Sequence, residues 1–149
     1  MEARVRPAKR GEEEALVAMY EWLFESPGRR PPRWDPDRAR EVLREAVESG
    51  ASLVLVAEDD GAFVGLLTAS LDIRSVRFGQ RCWVEDLAVD PHRRSEGIGR
   101  RLLADARAWA TENGASHLEL DTGVARTDAQ RFYEREGATN KGISYSWWL

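Results

Sequence analysis

The sequence is poor in the residues that crosslink chains or bind metals. It has one cysteine, Cys82, which cannot form a disulfide within the chain. This lone cysteine predicts a cytoplasmic protein, and so does the lack of the early apolar run that a signal peptide needs. The two histidines, His92 and His117, have no Cys or His neighbour at metal-ligand spacing, so we predict no metal site.

Long apolar runs and excess positive charge are also missing. The longest apolar stretches, near residues 53–57 and 63–69, are far shorter than a helix that spans a bilayer. A net charge of -4 argues against wholesale nucleic-acid binding, although arginines between residues 93 and 101 form a local basic patch. We therefore predict no membrane and no nucleic-acid partner, and the composition leaves a homodimer open.

The length and the patterning fit one globular domain over residues 1–149, with 42% hydrophobic and 32% charged residues. Apolar periodicity and turn residues predict elements in the order β-α-α-β-β-β-α-β-α-β, an α/β (α+β) arrangement of a mixed sheet with helices on its faces. The predicted strands cover residues 3–7, 52–58, 62–73, 81–90, 117–121 and 143–149, and the predicted helices cover residues 16–24, 36–49, 98–113 and 127–135.

The segment from Pro91 to Arg100 joins a strand to a helix and carries two glycines one residue apart. Unpaired N–H groups and the positive end of a helix dipole suit a phosphate, and glycines leave room for its approach. A dinucleotide-binding loop would need a third glycine where Leu102 stands, and no Gly-Lys-Ser/Thr of a P-loop is present. On the glycines alone, a plain tight turn is an equal alternative.

Two motifs resemble those of the GNAT superfamily of N-acetyltransferases. Arg94-Ser95-Glu96-Gly97-Ile98-Gly99 matches its acyl-CoA pattern of Gln or Arg, any two residues, Gly, any residue, and Gly or Ala. The segment from Ala129 to Gly137, with Phe132 and Tyr133, is similar to its second motif. The resemblance implies a mixed, mostly antiparallel sheet of six to seven strands flanked by about four helices.

The resemblance also implies the reaction and the cosubstrate. It implies direct transfer of an acetyl group from acetyl-CoA to an amine in a ternary complex, and the loop that carries Trp34 favours a primary amine of a small molecule as the acceptor. The residues that match the superfamily's cosubstrate-binding positions are Leu87, Ala88, Val89, Arg94, Ser95, Glu96, Gly97, Ile98, Gly99 and Arg100. Three residues depart from the usual pattern: Glu96 in the loop, Arg126 where an Asn is common, and Ala138 where an aromatic is usual.

Acetyl transfer needs a proton donor for the departing thiolate and a base for the amine. The resemblance assigns the donor role to Tyr133, whose alternative is an ordinary packed aromatic. Asp121 and Glu85 are equal candidates for the base, and Asp86 or solvent remains open. Trp34 lies in a loop that often forms a wall of the acceptor site in this superfamily.

Two other functions fit the same motifs. The acceptor could be a protein or peptide amine, because neither motif specifies it. The chain could also be a noncatalytic acyl-CoA-binding module if the candidate carboxylates prove dispensable. A fold alone cannot decide among these functions.

Overall fold

The computed structural model describes residues 2–149, and five strands form one sheet in the order β1-β2-β3-β4-β5. The strands are β1 Arg4–Pro7, β2 Ser52–Asp59, β3 Ala62–Ser75, β4 Gly79–Val89 and β5 His117–Glu119. Neighbouring strands run antiparallel except for β4 and β5, which are parallel. The predicted mixed, mostly antiparallel class is confirmed.

The helices also follow the predicted order, with one interruption. They are α1 Glu13–Met19, α2 Glu21–Phe24, α3 Pro36–Glu48, α4 Ile98–Glu112 and α5 Thr127–Arg135. The single helix predicted over residues 16–24 is divided at Tyr20 into α1 and α2, so the four predicted helices become five. No helix within residues 2–149 has the length and apolar character needed to cross a bilayer.

The predicted last strand, residues 143–149, does not form, so the count of six to seven strands is wrong. A strand needs a partner edge along its length, and β5 at the end of the sheet is only three residues long. The side chains of Trp147 and Trp148 remain 81% and 66% exposed. Residues 143–149 therefore have no hydrogen-bonded partner strand and stay outside the sheet.

Helices cover both faces of the sheet because successive side chains of a strand point to opposite sides. Leu67 and Leu66 of β3 are adjacent and fully buried, one facing each layer. On one face, Leu67 belongs to the core that includes Leu102 of α4. On the other face, Leu66 packs in the core that includes Leu16 of α1 and Leu43 of α3. This three-layer packing holds β4 and α4 in fixed positions around the site described below.

Gly65 of β3 sets how closely α4 approaches the sheet. A Cβ atom at this position would lie 2.9 Å from Cγ2 of Ile98 and 3.0 Å from Cδ1 of Leu102. Ile98 begins α4, the helix entered through the two-glycine loop (residues 94–99). This contact therefore also fixes the position of the helix N-terminus.

We predict that Gly65→Ala lowers the free energy of unfolding by about 1–3 kcal/mol, because the added methyl group overpacks the layer between β3 and α4. Gly50→Ala is the matched control, since no atom lies within 4 Å of a Cβ placed there. Urea unfolding monitored by tryptophan fluorescence measures both. Equal stabilities of the two variants would contradict this account of the helix position.

Candidate active site

A cleft opens where β4 and β5 separate. The two strands pair only at Arg81–His117, Cys82–Leu118 and Trp83–Glu119. Beyond this point β4 continues to Val89, paired with β3 on its other side. Within residues 2–149, the outer edge of β4 after Trp83 therefore has no strand partner, and every second backbone N–H along that edge points into the opening.

A β-bulge re-aims the β4 side chains at this opening. Thr68 pairs with Asp86 and Ala69 pairs with Val84, so Glu85 is the extra residue of β4. The exposed Glu85 carboxylate accepts a hydrogen bond at 2.6 Å from Nε1 of Trp83. The bulge thus places two consecutive acids, one exposed and one enclosed, at the start of the cleft.

Asp86 is enclosed and held by two hydroxyl groups. Its Oδ2 accepts hydrogen bonds from Tyr20 Oη at 2.6 Å and from Thr68 Oγ1 at 2.8 Å. Burial raises the pKa of Asp86, and the two hydroxyl donors partly oppose that rise. Burial, with the nearby Asp86 charge, also raises the pKa of Tyr20, so the phenol stays protonated and remains a donor.

Tyr20 is a site residue that the sequence analysis missed. Its spacing placed it on the apolar face of the first helix, and periodicity does not distinguish a packed phenol from one that binds a carboxylate. Its hydroxyl group was the available signal, because a buried Tyr O–H usually finds a hydrogen-bond partner. Tyr20 lies at the junction of α1 and α2, and its side chain reaches Asp86 on β4.

Aromatic rings form the wall opposite β4. The ring of Trp34, in the α2–α3 loop (residues 25–35), stacks on Tyr20 with centroids 5.5 Å apart and meets the edge of Phe24 at 4.9 Å. The cleft has a volume of about 360 Å³, within the range of small-molecule sites. Its lining includes Tyr20, Leu23, Phe24, Trp34, Glu85, Asp86, Leu87, Asp121, Arg126 and Tyr133.

The three predicted catalytic residues meet in this cleft. Glu85 lies on β4, Asp121 lies just after β5, and Tyr133 lies on α5. Asp121 is exposed. Burial raises the pKa of Tyr133, with a smaller opposing effect of the Arg126 charge, so its hydroxyl keeps its proton at neutral pH.

The predicted cosubstrate residues follow β4 out of the cleft. Leu87 lines the cleft, Val89 ends the strand, and the chain passes through the short 3-10 turn Pro91–Arg93 into the two-glycine loop. Gly97 is the N-cap of α4 with a φ of 81°, in the left-handed region that glycine adopts without steric cost. No side chain caps this helix, so its first N–H groups remain available to a ligand.

The acidic residue of the loop is paired with an arginine. Glu96 accepts a hydrogen bond from Nε of Arg93 at 2.9 Å, and Nη2 of Arg93 also binds Asp59 at 2.6 Å. The Arg93 charge, shared between the two carboxylates, therefore offsets part of the negative charge that Glu96 brings to the helix N-terminus. Arg94, Ser95 and Arg100 are exposed, and Arg100 lies 3.5 Å from Glu136.

The second motif packs against the loop. A Cβ atom at Gly99 would lie 3.6 Å from Cζ of Phe132 and 3.7 Å from Cγ2 of Val89, an ordinary contact distance. Phe132 on α5 therefore lies beside the start of α4, while its neighbour Tyr133 lines the cleft. Residues of both motifs thus lie close to Val89 at the end of β4.

Cys82 and metal-binding residues supply no alternative chemistry in the described chain. Burial raises the pKa of the Cys82 thiol to about 11, so it is protonated and enclosed rather than a nucleophile. No group of three or more His, Cys, Asp or Glu side chains in residues 2–149 is placed to hold a metal ion.

Known sequences are similar to this chain over most of its length. The sequence model described as "Acetyltransferase (GNAT) family" matches residues 16–138. The chain is 35% identical over 103 residues to the uncharacterized N-acetyltransferase YhfO of Bacillus subtilis, and the matched region covers 69% of each chain. It is 28% identical over 110 residues to aminoglycoside N(6')-acetyltransferase type 1 of Serratia marcescens, covering 71% of this chain and 75% of that one.

Solved structures share the fold. The structure of AAC(6')-Iy in complex with a bisubstrate analog, CoA-S-monomethyl-acetylneamine, superposes with a TM-score of 0.81 over 100% of both chains at 20% identity. At that identity the likeness shows the fold alone.

The Tyr20–Asp86 hydrogen bond gives a pH-dependent prediction. A carboxyl with a raised pKa binds a proton more readily when folded, so stability falls as pH rises from the ordinary value of about 3.9 through the raised one. Tyr20→Phe removes a donor that favours the charged form. We expect it to cost more stability at about pH 8 than at about pH 4, because the charged carboxylate needs the donor most.

Urea unfolding across this pH range checks the prediction. Tyr145→Phe is the matched control, because Tyr145 is 78% exposed and should tolerate the same change. Asp86→Asn removes the titrating group, so the free energy of unfolding should change less with pH than in the unmodified protein. In Tyr20→Phe it should change more. A cost of Tyr20→Phe that does not change with pH would show that Asp86 is not the group it stabilises.

Proposed function

Because the chain belongs to the GNAT family of acetyltransferases, we propose that it transfers an acetyl group from acetyl-CoA to a primary amine of a small molecule. The observation that carries this proposal is the cleft between β4 and β5, which brings Tyr133 together with three carboxyl groups. The chain leads from Leu87 in the cleft lining to the uncapped N-terminus of α4, which supports an acyl donor that extends from that helix into the cleft.

The proposed donor site extends from the two-glycine loop to β4. Free N–H groups at Ile98 and Gly99, with the helix dipole, suit the pyrophosphate, and the exposed Arg94 and Arg100 add positive charge. Backbone N–H groups of β4 between Leu87 and Val89 are proposed to polarise the thioester carbonyl. The unpaired edge of β4 supports this assignment, because donors already bonded to a neighbouring strand could not serve.

Tyr133 is the proposed proton donor. During transfer the amine nitrogen bonds to the acetyl carbon, the carbon–sulfur bond breaks, and the sulfur leaves as a thiolate with an ordinary pKa of about 8.5. The protonated Tyr133 hydroxyl, enclosed at the cleft wall, is suited to give its proton to that sulfur. Because burial keeps the phenol protonated, the donor is ready at neutral pH.

A carboxylate is proposed to take the proton of the amine, since an ammonium group has no lone pair for attack. Asp121 and Glu85 remain the two candidates, and both line the cleft as exposed acids. One carboxylate oxygen of Glu85 accepts a hydrogen bond from the Trp83 indole N–H, and the other is not used in that bond. Asp86 accepts hydrogen bonds from the hydroxyls of Tyr20 and Thr68. We therefore assign Asp86 a supporting position and keep the exposed acids as proposed bases.

The proposed acceptor is a small amine. A cleft of about 360 Å³ with an aromatic wall and carboxylates suits a compact cation, which favours aromatic faces and acids. A relative from Serratia marcescens named for an aminoglycoside acceptor supports this class. The cytoplasm is the proposed compartment, because the lone cysteine is a free buried thiol.

Acetyl-CoA should stabilise the free protein through the two-glycine loop. At about one hundred times its dissociation constant, it should add about 2.7 kcal/mol, visible as a rise in Tm in a thermal scan. Gly99→Glu should abolish this rise, because it places bulk and negative charge at the helix N-terminus. Gly50→Glu controls for the added charge, and a Tm unchanged by saturating acetyl-CoA in the unmodified protein would refute the donor site.

Tyr133→Phe should separate binding from chemistry. The variant keeps the ring and its packing, so the acetyl-CoA Tm shift should persist, while kcat falls about 10²-fold because the proton donor acts only as the sulfur leaves. Steady-state thiol release measures kcat, with the exposed Tyr145→Phe as control. An unchanged kcat would show that Tyr133 packs in the cleft wall and is not the proton donor.

A further inference from the structure

The side chain of Arg126 crosses the cleft and joins its two walls. Arg126 is the N-cap of α5, about two helical turns before Tyr133 on the same helix. Its Nη2 donates a part-buried hydrogen bond of 2.7 Å to the carbonyl oxygen of Leu23, 103 residues earlier. Leu23 lies in α2, at the start of the aromatic wall, so this bond connects the α5 side of the cleft directly to the Trp34 side.

The chemistry of both partners suits a lasting contact. The last carbonyl groups of a helix have no partner within the helix, and a guanidinium group near a helix C-terminus satisfies them and complements the dipole. A hydrogen bond from a charged donor is also stronger than one between neutral groups. The position where the superfamily commonly has an Asn therefore carries, in this chain, a longer residue that reaches the opposite wall.

The α2–α3 loop is shaped around this contact at Gly28. A Cβ atom added to Gly28 would overlap both the Leu23 carbonyl oxygen and Nη2 of Arg126. The Gly28 N–H closes a turn onto the carbonyl of Glu25 at 2.7 Å, which holds the loop backbone against the guanidinium. Only a residue without a side chain fits between the loop and Arg126.

We propose that Arg126 is a positioning residue that fixes the α2–α3 loop as the acceptor wall. By holding the end of α2, it sets where Trp34 stacks on Tyr20, and Tyr20 in turn holds Asp86. The side-chain hydrogen bond of Arg126 goes to α2 and not, within the described residues, to the two-glycine loop or α4, so its main effect falls on the acceptor side. The kinetic part of this inference rests on the proposed acetyl transfer, whereas the effect on the loop does not.

Limited trypsin digestion tests the loop directly. The α2–α3 loop contains Arg29 and Arg33, both exposed, as its cleavage sites, while Arg30 is followed by Pro31. In Arg126→Gln, cleavage at these two sites should become about tenfold faster, the scale of a lost hydrogen bond to a charged group. Arg126→Lys keeps one charged donor and should cleave at an intermediate rate.

Two further variants isolate the contact. Arg131→Gln is the matched control, since Arg131 lies on the same helix, is 68% exposed and pairs only with Asp128 within the chain that the structure describes. It should cleave at the unmodified rate. Gly28→Ala should release the loop with Arg126 intact, because the added methyl group displaces the guanidinium or the carbonyl.

Kinetics then test the consequence for the site. With an acceptor that the unmodified protein acetylates, Arg126→Gln should raise the acceptor KM about tenfold and leave the acetyl-CoA Tm shift nearly unchanged, and any change in kcat should be smaller than the change in KM. A merely structural role would instead lower both Tm and kcat. If no acceptor is acetylated, the proposed function fails, and the cleavage rates still decide the role of Arg126.

Three results would overturn the inference. The first is equal cleavage of the α2–α3 loop in Arg126→Gln and Arg131→Gln. The second is a fall in kcat with no change in the acceptor KM. The third is an Arg126→Gln chain that does not fold, or that is cleaved throughout, which would assign Arg126 to the fold as a whole rather than to the loop.

Discussion

The three-residue ladder between β4 and β5 is the constraint on which the cleft depends. Parallel strands that continued side by side would satisfy every backbone group of β4 and leave no opening. Because the pairing stops at Trp83 and Glu119, β4 keeps a free edge, and β5 leads Asp121 away along the opposite side. The bulge at Glu85 lies two residues beyond the last pair, so the side chains turn into the cleft where the cleft begins.

Burial separates the polar groups around this opening into two kinds. It raises the pKa of Tyr20 and Tyr133, whose hydroxyls remain donors, one to Asp86 and the other at the cleft wall. Glu85 and Asp121, by contrast, are exposed to solvent. Acetyl transfer to an amine demands a proton donor and a proton acceptor on one surface, and under the proposed function Tyr133 and one of the exposed acids would take these roles.

Local sequence signals predicted most of the fold. Asp35 and Pro36 mark the start of α3, and the Asp35 side chain accepts the N–H of Asp37 at 2.9 Å. The Asp60-Gly61 pair forms the hairpin turn with positive φ at both residues, as the two-residue loop requires. These features depend on neighbours in the sequence, so a single sequence reveals them.

Contacts between distant residues were beyond local signals. The Tyr20–Asp86 bond joins residues 66 apart, and the Arg126–Leu23 bond joins residues 103 apart, so no periodicity predicts either. The strand predicted over residues 143–149 failed for the same reason, because alternation shows a suitable segment but not whether an edge exists to receive it. The sequence reasoning did select Glu85, Asp121 and Tyr133, of which only Tyr133 lies in a motif, and all three line one cleft.

Thiol release from acetyl-CoA, followed with a panel of amines, tests the central claim most directly. The panel should include polyamines, aminoglycosides, arylamines, amino acids and peptides, with the acetylated product identified by mass spectrometry. The account predicts thiol release coupled one to one to acetylation of a small amine, with slower or no reaction of peptides. Binding of acetyl-CoA without acceptor-dependent thiol release across the panel would contradict it.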